Sequence, residues 1–189
     1  MADIRSFIAV AMDEGIIARL AALQQELRRA EAPVSWVRPE GMHLTLKFLG
    51  NVPEGQIPRI GDALQGVTAA RAPFRICVEG AGAFPNLRRP RVVWADVREG
   101  REALIELAAA VDAALAGLGF PPEDRPFSPH LTLGRVKAPN HLEHLTALIQ
   151  SHVDDRFGEM TAREVILFRS ELSPKGAKYT PLRRAALGG

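Results

Sequence analysis

The tetrapeptide His43-Leu44-Thr45-Leu46 returns as His130-Leu131-Thr132-Leu133, 87 positions further along the chain. The dipeptides Arg38-Pro39 and Arg125-Pro126 precede the two histidines at the same distance. A chain that repeats itself at one offset is built from a supersecondary unit used more than once. The hydrophobic pattern follows the same offset. The β-rich run Ile4 to Ala11 has its counterpart in Arg91 to Val97. Ile16, Leu20, Leu23 and Leu27 recur at helical spacing, as do Leu104, Leu107, Ala108, Val111 and Leu115. Ile57 to Gln65 and Leu142 to Gln150 read as shorter helices, and Phe74 to Val78 and Val165 to Phe168 as strands.

Each half therefore reads as strand–helix–strand–helix–strand, with extra segments around Phe84-Pro85 and at the C-terminal end. Helices interrupt the strands repeatedly, so sheets backed by helices fit better than a sandwich. The expected fold is α+β: two lobes related by a pseudo-twofold axis, each an antiparallel sheet backed by helices, around a central groove. No Gly/Ser linker divides the halves, so residues 1–189 are expected to form a single bilobal domain with pseudo-repeats at roughly 1–85 and 88–170.

The repeated motif carries chemistry. Side chains alternate between the faces of a strand, so His43 and Thr45 share one face while Leu44 and Leu46 share the other. His130 and Thr132 likewise lie opposite Leu131 and Leu133. A pseudo-twofold axis brings two imidazoles and two hydroxyls around one cavity. With an unperturbed pKa of about 6.5, one imidazole can be protonated while its partner is neutral. Such a pair suits displacement at phosphorus, one ring taking a proton from water and the other giving one to the departing alkoxide. The threonine hydroxyls are placed to donate to non-bridging oxygens as charge develops there. The residues define the pair; they do not say which ring is the acid.

Composition excludes other classes. The chain has 189 residues, 47% hydrophobic and 24% charged, enough to bury a core and unlike a disordered chain. Its net charge of +2 does not by itself mark a nucleic-acid binder. Cys77 is the only cysteine, so no internal disulfide forms, and its apolar surroundings suit a buried thiol. The apolar run Phe7 to Met12 is too short for a signal sequence, and nothing approaches the ~18 apolar residues of a membrane span. The expectation is a soluble cytoplasmic protein with no membrane association, no cofactor, no metal and no obligate protein partner.

At both motifs the chain resembles the 2H phosphoesterase superfamily, and within it the RNA 2′,3′-cyclic phosphodiesterases historically called 2′-5′ RNA ligases. The resemblance runs through Arg5-Ser6-Phe7-Ile8-Ala9, Trp36, and His43 to Gly50. It continues through Phe84-Pro85, Arg89 to Trp94, and Phe127 to Arg135, and ends at Ser170-Glu171-Leu172, Gly176 and Tyr179. It implies hydrolysis of 2′,3′-cyclic phosphates on RNA ends or nucleotides to 2′-phosphates, with 2′-5′ joining as the possible reverse reaction. It also implies His43 as proton donor, His130 as proton acceptor, and Thr45, Thr132 and Arg135 as phosphate contacts. A non-catalytic module binding nucleotides or RNA ends is the competing reading.

Strict alternation makes further assignments. Lys47 joins His43 and Thr45 at the groove rim, Phe48 belongs to the core, and Gly134 leaves the polar face open. Arg135 falls on Leu133's face unless the strand bends after Gly134, a usual bulge site. Trp36 and Phe127 are candidates either for base stacking or for core packing, the latter favoured. Arg88, Arg89 and Arg91 form a basic run at a Pro-rich turn, equally suited to an RNA backbone or to water. His141 and His144 stand at i, i+3 with His152 beyond, read as an exposed polar helix rather than a metal site.

Overall fold

The computed structural model describes residues 2–188. Nine strands and four helices follow in order: β1 (Asp3–Ala11), α1 (Glu14–Arg28), β2 (Val34–Trp36), β3 (His43–Pro53), α2 (Ile57–Ala69), β4 (Phe74–Phe84), β5 (Val92–Glu99), α3 (Arg101–Ala116), β6 (His130–Val136), α4 (Glu143–Ser151), β7 (Arg156–Ala162), β8 (Glu164–Ser173) and β9 (Gly176–Ala186). The apolar periodicity of α1 and α3 places Ile16, Leu20, Leu23 and Leu27, and Leu104, Leu107, Val111 and Leu115, wholly inside.

The strands form two antiparallel sheets, ordered β3-β1-β8-β9 and β2-β6-β5-β4-β7. The orders superpose as a repeat: β1 corresponds to β5, β3 to β6, β8 to β4 and β9 to β7, with β2 added at an edge. Neither lobe is made from one half of the chain. β4 leaves the first half to pair with β5, and β8 leaves the second half to pair with β1. Helices α1 and α3 are exchanged as well. α1 and α4 pack on the second sheet, and α2 and α3 on the first. One continuous apolar core therefore runs through residues of both halves, from Ile8 and Leu44 to Leu131 and Leu167. Cys77 is a buried free thiol within the second sheet.

Of the three β-bulges on the motif strands, two stand at equivalent places. On β3, Thr45 pairs with Ala9 but Lys47 pairs with Ile8, leaving Leu46 as an extra residue. On β6, Thr132 pairs with Trp94 but Gly134 pairs with Val93, leaving Leu133 extra. An inserted residue reverses alternation beyond it. The freed Leu133 carbonyl accepts from Val37 N at 2.9 Å and from Gln24 Nε2 of α1 at 2.8 Å. At the corresponding turn of α3, Asp112 receives the Lys47 ammonium at 2.5 Å. A helix side chain thus pins each bulge.

The bulges correct three expectations from strict alternation. Lys47 still borders the groove but is turned to the core side of the strand, only 4% exposed, with its ammonium held by Asp112 and the Pro121 carbonyl at 3.0 Å. Phe48 is on the groove side and 68% exposed. Gly134 faces Trp36 and Val34 rather than the polar face. A Cβ there would lie 2.7 Å from Val34 Cγ1 and 2.8 Å from Trp36 Cε3. Gly134→Ala is therefore expected to destabilise the fold by about 1–3 kcal/mol through overpacking. Thermal unfolding checks this, at roughly 2–4 °C per kcal/mol for a chain of this size; an unchanged midpoint contradicts the packing described.

Candidate active site

The two motif strands face each other across a groove of about 1190 Å³ lined by His43, Thr45, His130, Thr132 and Arg135. All four motif side chains converge there, while Leu44, Leu46, Leu131 and Leu133 are buried on the opposite side. Arg135 reaches the groove because the bulge at Leu133 turns the strand over one residue earlier than a bend after Gly134 would.

Aromatic rings fix the first imidazole. His43 lies 4.7 Å from the Phe168 ring centroid, 5.4 Å from Tyr179 in an edge-on contact, and 6.0 Å from Phe7. Phe7 and Phe168 also stack on one another at 5.2 Å and, with Ala9 and Ile166, form a small apolar floor on the groove side of the first sheet. Burial lowers the His43 pKa below the ordinary 6.5, opposed in part by the Gly41 backbone, which favours the charged ring.

The second imidazole is fixed by polar contacts. His130 Nδ1 lies 2.7 Å from the Ser128 carbonyl oxygen, which can only accept, so Nδ1 carries the hydrogen. In the neutral ring Nε2 then holds the free lone pair. Arg101 anchors this segment. It donates to Ser128 Oγ at 3.3 Å and to Asp96 Oδ1 at 2.9 Å, with the Pro129 carbonyl at 3.5 Å. The Phe84 ring meets His130 edge-on at 5.0 Å. Burial again lowers the pKa, chiefly against the Ser128 hydrogen bond and the Asp96 charge, with Arg135 and Arg101 adding to the lowering.

The groove is electropositive. Arg5, Arg125 and Arg135 line it, and none of them pairs with a carboxylate among the described residues. The acidic side chains at its flank, Asp112 and Glu123, are engaged by Lys47 at 2.5 and 3.5 Å. Burial pushes the Asp112 carboxyl up, but the Lys47 hydrogen bond, the Glu123 N–H and the Lys47 charge outweigh it and hold it low. Lys47 thus ties β3 to the segment that carries Arg125 and Phe127 toward the groove.

Other sequence candidates separate cleanly. Trp36 packs against the core with the Arg28 guanidinium 5.7 Å from its ring centroid, and it does not line the groove. Phe127 lines the groove and also packs against the core. Arg88, Arg89 and Arg91 are exposed on the turn between β4 and β5. His141 and His144 are exposed, and His152 pairs with Asp155 at 2.5 Å. Among the described residues no group of three or more His, Cys, Asp or Glu is placed to hold a metal ion. The roles of Phe7, Phe84 and Phe168 beside the histidines are not legible in the sequence, because they depend on pairings such as Phe7 with Phe168.

This constellation defines a phosphoesterase with two His-x-Thr strands. The chain belongs to the family of LigT-like phosphoesterases, which it matches over residues 10–94 and 96–179. It is 42% identical over 179 residues to an RNA 2′,3′-cyclic phosphodiesterase of Methanothermobacter thermautotrophicus, covering 95% of this chain and 96% of that protein. The corresponding protein of Archaeoglobus fulgidus is also 42% identical, over 95% of this chain and 98% of its own length. Among solved structures, a Thermus thermophilus protein superposes with a TM-score of 0.80 at 35% identity, covering 98% of each chain. Escherichia coli LigT complexed with 3′-AMP superposes with a TM-score of 0.78 at 26% identity, covering 99% of each chain.

Both imidazoles are expected to titrate below 6.5 in the free protein, and inorganic phosphate is expected to raise both by favouring their charged forms. Because the unfolded rings bind protons first as pH falls below about 6.5, the histidines lower fold stability progressively on acidification through that value. Imidazole titration by NMR, with and without phosphate, measures the first effect. A value above 6.5 for either ring in the free protein contradicts the burial argument.

Proposed function

We propose that this chain hydrolyses 2′,3′-cyclic phosphates on RNA ends to 2′-phosphates, with His130 as base and His43 as acid. The observation that carries this reading is the facing pair of His-x-Thr strands, with one ring's tautomer set by Ser128. The naming of its relatives as RNA 2′,3′-cyclic phosphodiesterases supports the substrate class.

In this mechanism water attacks phosphorus and passes its proton to His130 Nε2. The bond from phosphorus to the 3′-oxygen breaks, and His43 gives its proton to that oxygen. The Thr45 and Thr132 hydroxyls and the Arg135 guanidinium hold the non-bridging oxygens, where charge grows in the transition state. Exposed Phe48 and Leu172, both on the groove, offer the nucleobase an apolar platform. Acid, base and donors account for every proton and charge, so no cofactor is invoked. By microscopic reversibility the same groups permit 2′-5′ joining.

We place the activity in the cytoplasm, the compartment that holds the RNA proposed as its substrate. No helix among the described residues is long and apolar enough to cross a membrane.

His43→Ala and His130→Ala are each expected to lower kcat on the order of 10²–10⁴-fold, whereas His144→Ala stays near wild type. A substrate with a much better leaving group should rescue His43→Ala substantially and His130→Ala hardly at all; the reverse pattern would exchange the two roles. Turnover should survive excess EDTA, and loss restored by a divalent ion would refute the mechanism. Because burial lowers both ring pKa values, the bell-shaped kcat/KM profile should peak on the acid side of the range from about pH 6 to 8 that free imidazoles imply. Its two limbs belong to the coupled pair. An optimum above about pH 8 is incompatible with this site.

A further inference from the structure

The turn between β4 and β5 carries Arg88, Arg89 and Arg91, all exposed, and none has a carboxylate partner among the described residues. Elsewhere on this sheet Arg98 is neutralised by Glu79 at 2.9 Å and Arg156 by Glu159 at 2.7 Å, while Arg135 on β6 faces the groove without a carboxylate partner among the described residues. The turn is nevertheless held in place. Asn86 Oδ1 accepts from the backbone N–H groups of Arg88 and Arg89, both at 3.0 Å. Thr146 Oγ1 of α4 donates to the Leu87 carbonyl at 3.0 Å. The base of the turn is closed by Arg91 N–H donating to the Phe84 carbonyl at 2.7 Å.

That closure connects the turn to the groove. Phe84 lines the groove and meets His130 edge-on. Val136 N–H donates to the Arg91 carbonyl at 2.8 Å, and Arg135 pairs with Val92. A path leaving His130 along β6 therefore passes Thr132 and Arg135 and arrives at Arg91, then Arg89 and Arg88. At about 3.3 Å per strand residue, His130 to Arg135 alone spans about 17 Å. A mononucleotide seated at the histidines ends short of the turn; a polynucleotide continues onto it.

We propose that this turn is a binding surface for the single-stranded RNA that precedes the cyclic phosphate, so that the protein is built for oligonucleotide ends rather than free cyclic nucleotides. This rests on the reading of the groove given above. The ligand chemistry is a phosphodiester backbone: regularly spaced anions that planar guanidinium forks meet bidentately. A turn already ordered by Asn86 and Thr146 loses little freedom when RNA binds, which lowers the cost of association.

The test compares wild type with the triple variant Arg88→Ala/Arg89→Ala/Arg91→Ala and with its Lys counterpart. Two probes are used: a 2′,3′-cyclic mononucleotide, and a short single-stranded RNA ending in the same cyclic nucleotide. Binding of a fluorescent RNA bearing the 2′-phosphate product end is followed by anisotropy across a salt series, so this arm does not depend on turnover. Counterion release contributes a slope of roughly 0.7 per neutralised phosphate for single strands. The triple Ala variant is expected to flatten log K against log salt by about 2 and to weaken RNA binding about tenfold at low salt. Its kcat/KM on the mononucleotide should be unchanged, and the Lys variant should keep most of the wild-type slope. Equal loss on both substrates, or unchanged RNA binding, overturns the proposal. So does loss of binding to anionic vesicles or an acidic peptide while RNA binding stays intact. If wild type turns over neither substrate but the salt slope behaves as stated, the hydrolytic reading fails and the RNA surface stands.

Discussion

The lining of the groove beyond the two His-x-Thr motifs depends on one backbone irregularity used twice, the extra residue after each motif. Without it, strict alternation would carry Phe48 and the position of Arg135 into the core and would leave Lys47 on the surface. With it, each motif strand presents histidine and threonine to the groove, then turns over and presents one further side chain from beyond the bulge. On β3 that side chain is apolar Phe48; on β6 it is cationic Arg135. A bulge frees backbone groups from the ladder, and on β6 the freed Leu133 carbonyl is taken up by Gln24 and Val37 N–H.

The two pins come from exchanged helices, which links local geometry to topology. α1 belongs to the first half of the chain but fastens β6, and α3 belongs to the second half but fastens β3 through Asp112 and Lys47. Neither half can complete its own motif strand. A Lys–Asp contact with the ammonium so buried is costly to break from one side, since the remaining charge is left without a partner. The same ammonium holds the Pro121 carbonyl, so the segment bringing Arg125, Phe127 and Ser128 toward the second histidine is tied to the first motif.

Much of this is legible in the sequence. The repeat locates both histidines and both threonines, and the periodicity of Leu20 or Leu107 locates the helices, because burial imposes a 3.6-residue pattern that needs no tertiary knowledge. Phe48, Lys47, Gly134 and the route by which Arg135 reaches the groove are not legible, because each depends on a bulge that no side chain announces. Gly134 is the nearest signal, and it marks a close approach to Trp36 rather than an open face. The exchange of β4 and β8 is equally hidden, since alternation says that a strand is half-buried but not which strand it joins. Phe84 and Phe168 read from the sequence as parts of a turn and a strand; only pairing across the sheets places them on the imidazoles.

The central claim is that two opposed imidazoles open a cyclic phosphate by breaking its bond to the 3′-oxygen. The most direct measurement is phosphorus NMR of the products from a short RNA ending in a 2′,3′-cyclic phosphate, with the reaction run in ¹⁸O-enriched water. The account predicts a 2′-phosphate product alone, carrying a single labelled oxygen on phosphorus from the attacking water. A 3′-phosphate, a mixture of both isomers, or recovery of the intact cyclic end would contradict it.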